Sequence, residues 1–384
     1  MKQIYMDHAG TTPPHPDVIK AMEPFFGELF GNPSSIHSFG REAEKALDDC
    51  RKTVAEFLGV GSEEIIFTSG GTESDNLALK GIAFANKDKG KHIITSKIEH
   101  HALLRTCEWL ENQGFSVTYL PVDKYGIVSL EELENSIRDD TILVSVMHAN
   151  NEIGTIEPVE EIGKICKRHG VCFHSDAVQT FGKIPIKMEN VDLLSMSSHK
   201  IHGPRGVGAL FIRKGTKIDP ILHGGNQEKG MRSGTENIAG IAGFAKAVEI
   251  AKKNMKKESE RLMKLRDRLI KGVLAIPDCW LNGHPTQRLP GNAHFSFRYI
   301  EGESLVLHLD MKGIAASTGS ACSSKELKPS STLLAIGLKP EEAHGSLRLT
   351  LGRDNTDEDI AYVLSTLPGI VENLRKISPF KSKK

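Results

Sequence analysis

The chain has 384 residues, 39% of them hydrophobic and 26% charged, with Lys+Arg and Asp+Glu balanced at 49 each. That length exceeds what one hydrophobic core usually fills, so two domains are expected. The charge balance leaves no field to hold a phosphate backbone, so no nucleic-acid binding is expected, and no stretch approaches the roughly 20 apolar residues of a membrane helix. The N-terminus, Met1 to Asp7, lacks a basic region followed by an apolar run, as a secretory signal would show. The six cysteines form no C-x-x-C pair and no zinc spacing, which reads as free thiols in a reducing cytoplasm.

Along the chain, short β-rich runs alternate with helical patterns. Strands are expected at 65–68, 92–96, 141–147, 171–175, 191–196 and 207–212, and helices at 72–85, from about 100, and at 159–169. Strands separated by helices imply βαβ units, and continuous apolar runs imply a mostly parallel sheet covered on both faces. From Thr235 to about Leu274 the pattern becomes one long, Lys- and Glu-rich helix. Beyond it, strands at 293–297 and 346–351 and a helix at 357–367 suggest a smaller α+β domain. The expected division is a large domain of residues 15–257, with residues 1–14 and 258–384 forming the small one.

Nucleotide loops and H-E-x-x-H are missing, and Gly206-Val207-Gly208 lacks the third glycine of a dinucleotide fingerprint. Five other segments carry chemistry. Thr68-Ser69-Gly70-Gly71-Thr72-Glu73-Ser74 leaves a strand and enters a helix, where free N–H groups and the Thr72 hydroxyl make a workable phosphate cradle. Taken alone it is equally a glycine turn before a helix. Asp176, at a strand end, is placed to keep a pyridinium nitrogen protonated, or merely to cap a helix. Lys200 follows another strand among small polar residues, where a lysine of lowered pKa forms covalent adducts with carbonyl compounds. Cys322 lies in Ser317-Thr318-Gly319-Ser320-Ala321-Cys322-Ser323-Ser324, a turn-forming setting that suits either a reactive or an inert surface thiol. In Ser346-Leu347-Arg348-Leu349-Thr350-Leu351, alternation puts Arg348 and Thr350 on one strand face, and a fixed arginine can grip a carboxylate through two parallel hydrogen bonds. A metal site at Glu99-His100-His101 is disfavoured, since adjacent helical histidines point about 100° apart.

Together and in this order, these segments resemble the fold-type I pyridoxal-phosphate (PLP) enzymes of the class V aminotransferase group, and more closely the NifS/IscS cysteine desulfurases. The resemblance runs from Tyr5-Met6-Asp7-His8-Ala9 to Arg348-Leu349-Thr350-Leu351-Gly352-Arg353. It includes Ser198-His199-Lys200-Ile201-His202-Gly203-Pro204, Gly319-Ser320-Ala321-Cys322-Ser323 and Met147-His148-Ala149-Asn150-Asn151-Glu152-Ile153-Gly154. It implies that Lys200 carries PLP covalently, His100 stacks on the ring and moves protons, Asp176 pairs with the ring nitrogen, and Gln179 contacts the ring oxygen. Gly71, Thr72, Ser197 and His199 would hold the phosphate, with Thr235 supplied by the partner of a homodimer. Asn151 would lie near the ring and the substrate carboxylate, which Arg348 and Asn32 would bind. Cys322 would accept sulfur from L-cysteine and could serve as a transient iron–sulfur ligand; no resident metal is implied. An iron–sulfur scaffold or another sulfur acceptor is the implied partner. Many bacterial IscS-type members extend further beyond Ser378-Pro379-Phe380, which leaves the docking mode open. Selenocysteine lysis, transamination on the same fold, and a non-catalytic sulfur-carrier platform remain alternatives at this point. Cys322 speaks against transamination, and the joint presence of Lys200, Asp176, His100 and Cys322 speaks against lost catalysis.

Overall fold

The computed structural model describes residues 3–319 and 329–378. In chain order its strands are β1 (Ile4–Tyr5), β2 (Ile65–Thr68), β3 (His92–Ser96), β4 (Ser116–Leu120), β5 (Thr141–Ser145), β6 (Cys172–Asp176), β7 (Leu193–Ser197), β8 (Gly208–Ile212), β9 (Cys279–Leu281), β10 (Asn292–Phe297), β11 (Ile314–Ala315) and β12 (Ser346–Thr350). The helices that concern the site are α1 (Pro16–Met22), α2 (Ser38–Leu58), α3 (Gly71–Asn86), α4 (His101–Glu111), α5 (Leu130–Ser136), α6 (Val159–His169), α7 (Ile238–Val273), α8 (Gly302–Asp310), α9 (Ser331–Ala335), α10 (Pro340–His344) and α11 (Asp357–Ile377).

Seven strands form one sheet in the order β2-β8-β7-β6-β5-β3-β4. β8 is antiparallel to both its neighbours, β2 and β7, so those two run the same way and the remaining pairings are all parallel. The apolar runs explain the burial: every residue of β2, β3, β5 and β7 is buried. One core, with Phe173, Met196, Phe211 and Phe244, covers one face, and another, with Leu77, Ile93, Leu103 and Leu193, covers the other. Helix ends follow local chemistry. α6 opens with Glu160 and Glu161, closes with Lys167, Arg168 and His169, and stops at Gly170 in the left-handed conformation (φ 66°), which complements the helix dipole at both ends.

A second, three-stranded antiparallel sheet, β12-β10-β9, packs its apolar face against α8 and α11 around Phe295, Phe297, Leu347 and Leu349. α7 joins the two cores. Ile241, Phe244 and Val248 of its first half enter the core of the large sheet, while Leu265, Leu269 and Val273 of its last turns enter the other. The N-terminal segment is tied to this second unit, since β1 pairs in parallel with β11 and Asp7 bridges Thr350. β4, β9, α2 and α8 lie in segments for which the sequence pattern gave no expectation.

Candidate active site

Because β2, β3, β5, β6 and β7 share a direction, their C-terminal ends meet along one edge of the sheet, where open α/β sheets place ligands. Gly71 follows β2, His100 follows β3, Asn151 follows β5, Asp176 ends β6, and Ser197, His199 and Lys200 end or follow β7. Local structure then aims each group.

Lys200 stands in a short 3-10 turn directly after β7. Its Nζ donates to the carbonyls of Ala9 (2.5 Å) and Gly10 (2.6 Å). Gln179 Nε2 donates to the same Ala9 carbonyl at 3.1 Å, so the N-terminal segment draws both side chains to one point. Asp176 is buried, and its Oδ1 accepts the Val178 N–H at 2.8 Å. Burial pushes its carboxyl up to about 6, against the pull of the Val178 N–H and the Lys200 charge. Two further buried acids stand behind it. Asp75 is raised well above the usual carboxylate range by burial and by the charges of Asp176 and Glu99. Glu99 is pushed up to about 8, chiefly by burial. Glu99 accepts the Ser96 hydroxyl (2.6 Å) and the Met147 N–H (3.0 and 3.1 Å), and so ties the turn before His100 to the loop after β5.

His100 caps α4: its Nδ1 accepts the Ala102 N–H at 3.1 Å. That bond places the ring proton on Nε2. Burial, with the Lys200 charge, lowers its pKa to about 4, so the ring is neutral near neutral pH. His199 Nδ1 pairs with the Thr11 hydroxyl at 3.0 Å, and burial lowers its pKa to about 4 as well. Arg348 is 2% exposed. It donates through Nη1 to the carbonyls of Asn151 (2.9 Å) and Gly319 (3.4 Å), and through Nη2 to Asp7 Oδ1 (2.7 Å).

The turn entering α3 could receive an anion. Gly70 has φ 151° and gives no side-chain cap to the helix, which leaves N–H groups of a 16-residue helix seeking an acceptor. Packing admits only glycine around it. A Cβ on Gly71 would lie 2.6 Å from Val178 Cγ2, and one on Gly208 would lie 2.6 Å from Gly70 Cα. The same crowding sets Ser197 against Gly71, whose added Cβ would stand 3.9 Å from Ser197 Cβ, while the Thr72 side chain is exposed. A primary amine, a buried acid for a ring nitrogen and an uncapped helix N-terminus are the donor set that PLP requires, and these residues fit it.

The structure thus gathers Gly71, His100, Asn151, Asp176, Gln179, Ser197, His199, Lys200 and Arg348 at one edge. Asn32 and Thr235 are exposed, and no hydrogen bond among the described residues joins either to the group. Cys322 lies outside the described residues. The other five cysteines are poor thiolates: burial pushes Cys50, Cys166 and Cys279 up to about 12, and Cys107 and Cys172 also rise. Sequence reasoning passed over Asp7, Asp75 and the supporting role of Glu99. The available signal was an acid embedded in an otherwise buried pattern, as in Ser74-Asp75 with Leu77-Ala78-Leu79.

Comparison with known proteins agrees with this geometry. The family model for class-V aminotransferases matches residues 4–363. A cysteine desulfurase IscS of Methanosarcina thermophila is 59% identical over 384 residues, covering 100% of this chain and 95% of the relative. One from Dictyoglomus turgidum is 57% identical over 383 residues, covering 99% and 97%. Among solved structures, a NifS-like protein superposes with a TM-score of 0.92 at 41% identity, covering 97% of this chain and 100% of the other. SspA, solved in complex with cysteine, gives 0.82 at 36% identity, covering 91% and 99%.

Proposed function

This chain belongs to the class-V aminotransferase family and, within it, to the NifS/IscS-type cysteine desulfurases, which are PLP-dependent fold-type I enzymes, and on that premise we propose that it converts L-cysteine to L-alanine and takes the sulfur onto Cys322 as a persulfide. The observation that carries the reading is the meeting of Lys200, Asp176 and His100, with the Lys200 charge close enough to lower the pKa of both the acid and the imidazole, at the sheet edge that also carries the buried guanidinium of Arg348. PLP, when bound, supplies the electron sink for charge developing at Cα of the substrate.

The protein supplies the rest. Lys200 would hold the cofactor covalently and would move the Cα proton of the substrate. Asp176 keeps the ring nitrogen protonated, and its burial strengthens that pairing by excluding water. Gln179 would contact the ring oxygen, and His100, neutral with its Nδ1 accepting the Ala102 N–H, would face the ring with an Nε2–H donor. Gly71, Thr72, Ser197 and His199 hold the phosphate, with Thr235 of a second copy completing the grip in a homodimer. Arg348, with Asn151 and Asn32, takes the substrate carboxylate. The Cys322 thiolate forms the new S–S bond as the Cβ–S bond of cysteine breaks, and the electron pair of that bond goes to the alanine fragment. The persulfide then serves an iron–sulfur scaffold or another sulfur acceptor in the cytoplasm, with Cys322 available as a transient iron–sulfur ligand. Among the described residues no helix is long and apolar enough to cross a membrane.

The test is stoichiometric. Wild-type protein given cysteine and a reducing thiol should form alanine and sulfide in equal amounts. Cys322→Ser should lose sulfide release yet keep the change in the visible band when cysteine is added. Full sulfide release by Cys322→Ser would remove Cys322 from the reaction.

A further inference from the structure

We propose that Asp7 is an internal competitor for the substrate carboxylate: it pairs with Arg348 between turnovers and helps to displace the carboxylate of the product. The inference rests on the reading of Arg348 as the carboxylate-binding residue. Arg348 Nη2 donates to Asp7 Oδ1 at 2.7 Å, and the side chains are 3% and 24% exposed respectively. The cation is therefore buried, while the carboxylate is partly exposed.

Asp7 is held there by construction. Its neighbours are pinned to the strand that carries Arg348, since the Thr350 N–H donates to the Met6 carbonyl (2.8 Å) and the Ala9 N–H donates to Thr350 Oγ1 (2.9 Å). Space for the carboxylate exists because residue 10 is glycine. A Cβ there would stand 2.4 Å from Asp7 Oδ2.

The contact is nevertheless incomplete. Asp7 engages the guanidinium through one oxygen, Arg348 donates its other bonds to neutral carbonyls of Asn151 and Gly319, and its buried Nε has no hydrogen-bond partner among the described residues. An arginine can grip a carboxylate through two parallel bonds, which is stronger than one. A substrate carboxylate able to take such a grip can displace Asp7, and Asp7 can return when the ligand leaves. Without Asp7 the buried cation would keep the more distant Glu152 but no carboxylate in direct contact among the described residues, so an incoming carboxylate would bind more tightly and leave more slowly. Cysteine and alanine carry the same carboxylate, so the effect applies to substrate and product alike.

The experiment uses the holoenzyme with Asp7→Asn, which keeps the side-chain shape and removes the charge. Alanine affinity is measured calorimetrically, alongside KM and kcat for cysteine. The expected result is that Kd for alanine and KM for cysteine fall together by about tenfold, with no rise in kcat, and that Asp7→Glu returns both toward wild type. Gly10→Ala keeps every charge but displaces the Asp7 carboxylate, and it carries the same expectation should Asp7→Asn not fold. Unchanged or weaker alanine binding would overturn the proposal and leave Asp7 as a brace for Arg348. Arg348→Met separates the two layers: if it leaves alanine affinity intact, the carboxylate role of Arg348 itself fails.

Discussion

Glu99 offers a direct measure of how strongly burial controls the electrostatics of this site. It is 4% exposed, and its carboxyl is raised from 4.5 to about 8 although the Ser96 hydroxyl and the Met147 N–H both point at it. Burial outweighs those donors, and the charges of Asp176 and Glu157 add to it. Between pH 4.5 and about 8 the unfolded chain has released a proton that the folded chain keeps, so stability falls as pH rises through that window. At about 1.4 kcal/mol per pH unit the full loss is roughly 5 kcal/mol, complete above pH 8. Glu99→Gln cannot titrate and escapes this loss. Its stability relative to wild type should therefore climb by roughly that amount from pH 4.5 to 8 and then level off. His100 and His174, whose pKa values are lowered to about 4 and about 3, impose the opposite slope at lower pH. They do so in both proteins, so their effect cancels in the difference. The assay is urea unfolding of both proteins at matched concentration across the pH range, with cofactor saturating in each so that ligand linkage enters equally. A difference that stays constant with pH would mean that Glu99 is charged in the folded protein and that its hydrogen-bond donors prevail over burial.

Gly208→Ala should disturb the phosphate cradle from beneath, because its Cβ would stand 2.5 Å from the Met196 carbonyl oxygen and 2.6 Å from Gly70 Cα. Forcing that backbone apart costs about 1–3 kcal/mol, so PLP should bind roughly ten- to a hundredfold more weakly in an absorbance titration; unaltered affinity would show that the 70–71 turn does not hold the phosphate. Arg51→Met should leave Glu228, which is 4% exposed, with the Phe67 N–H (2.8 Å) but without the bidentate pair it accepts from Arg51 at 2.6 and 2.8 Å. The expected loss is about 3–5 kcal/mol, read as a lower melting temperature, and Glu228→Gln in the same background, which removes the charge and keeps an acceptor for the Phe67 N–H, should recover part of it. A melting temperature within the error of wild type would show that the pair contributes nothing net.

What could be read from the sequence was whatever local pattern determines. The apolar runs at 65–68, 92–96 and 141–147 became strands, the last ending at Ser145, and the glycine turn at 70–71 became the entry to α3, because each is decided by neighbours a few residues away. The direction of β8 was open to a spacing argument that the apolar pattern alone does not make. Only residues 198–207 separate it from β7, fewer than a parallel crossover needs, so the chain turns back antiparallel. α2 escaped notice because its buried face, Gly40, Ala43, Leu47, Arg51, Val54, Ala55 and Leu58, has helical spacing but mixes small residues and a buried arginine with only three large apolar ones. The alternation in β12 put Arg348 on one face and the leucines on the other, as expected, but it does not separate exposed from buried. All five of its residues are buried, so Arg348 and Leu347 do not separate solvent from core; one faces the site and the other the core. Pairings such as Asp7 with Arg348, or Ala9 with Lys200, span 341 and 191 residues and arise only because β1 joins β11 when the chain ends close on each other. Local patterning therefore decides which groups reach the sheet edge, whereas long-range closure decides which charges face one another there. The first is written in periodicity; the second exists only in the fold, and it is the second that sets Asp7 against Arg348.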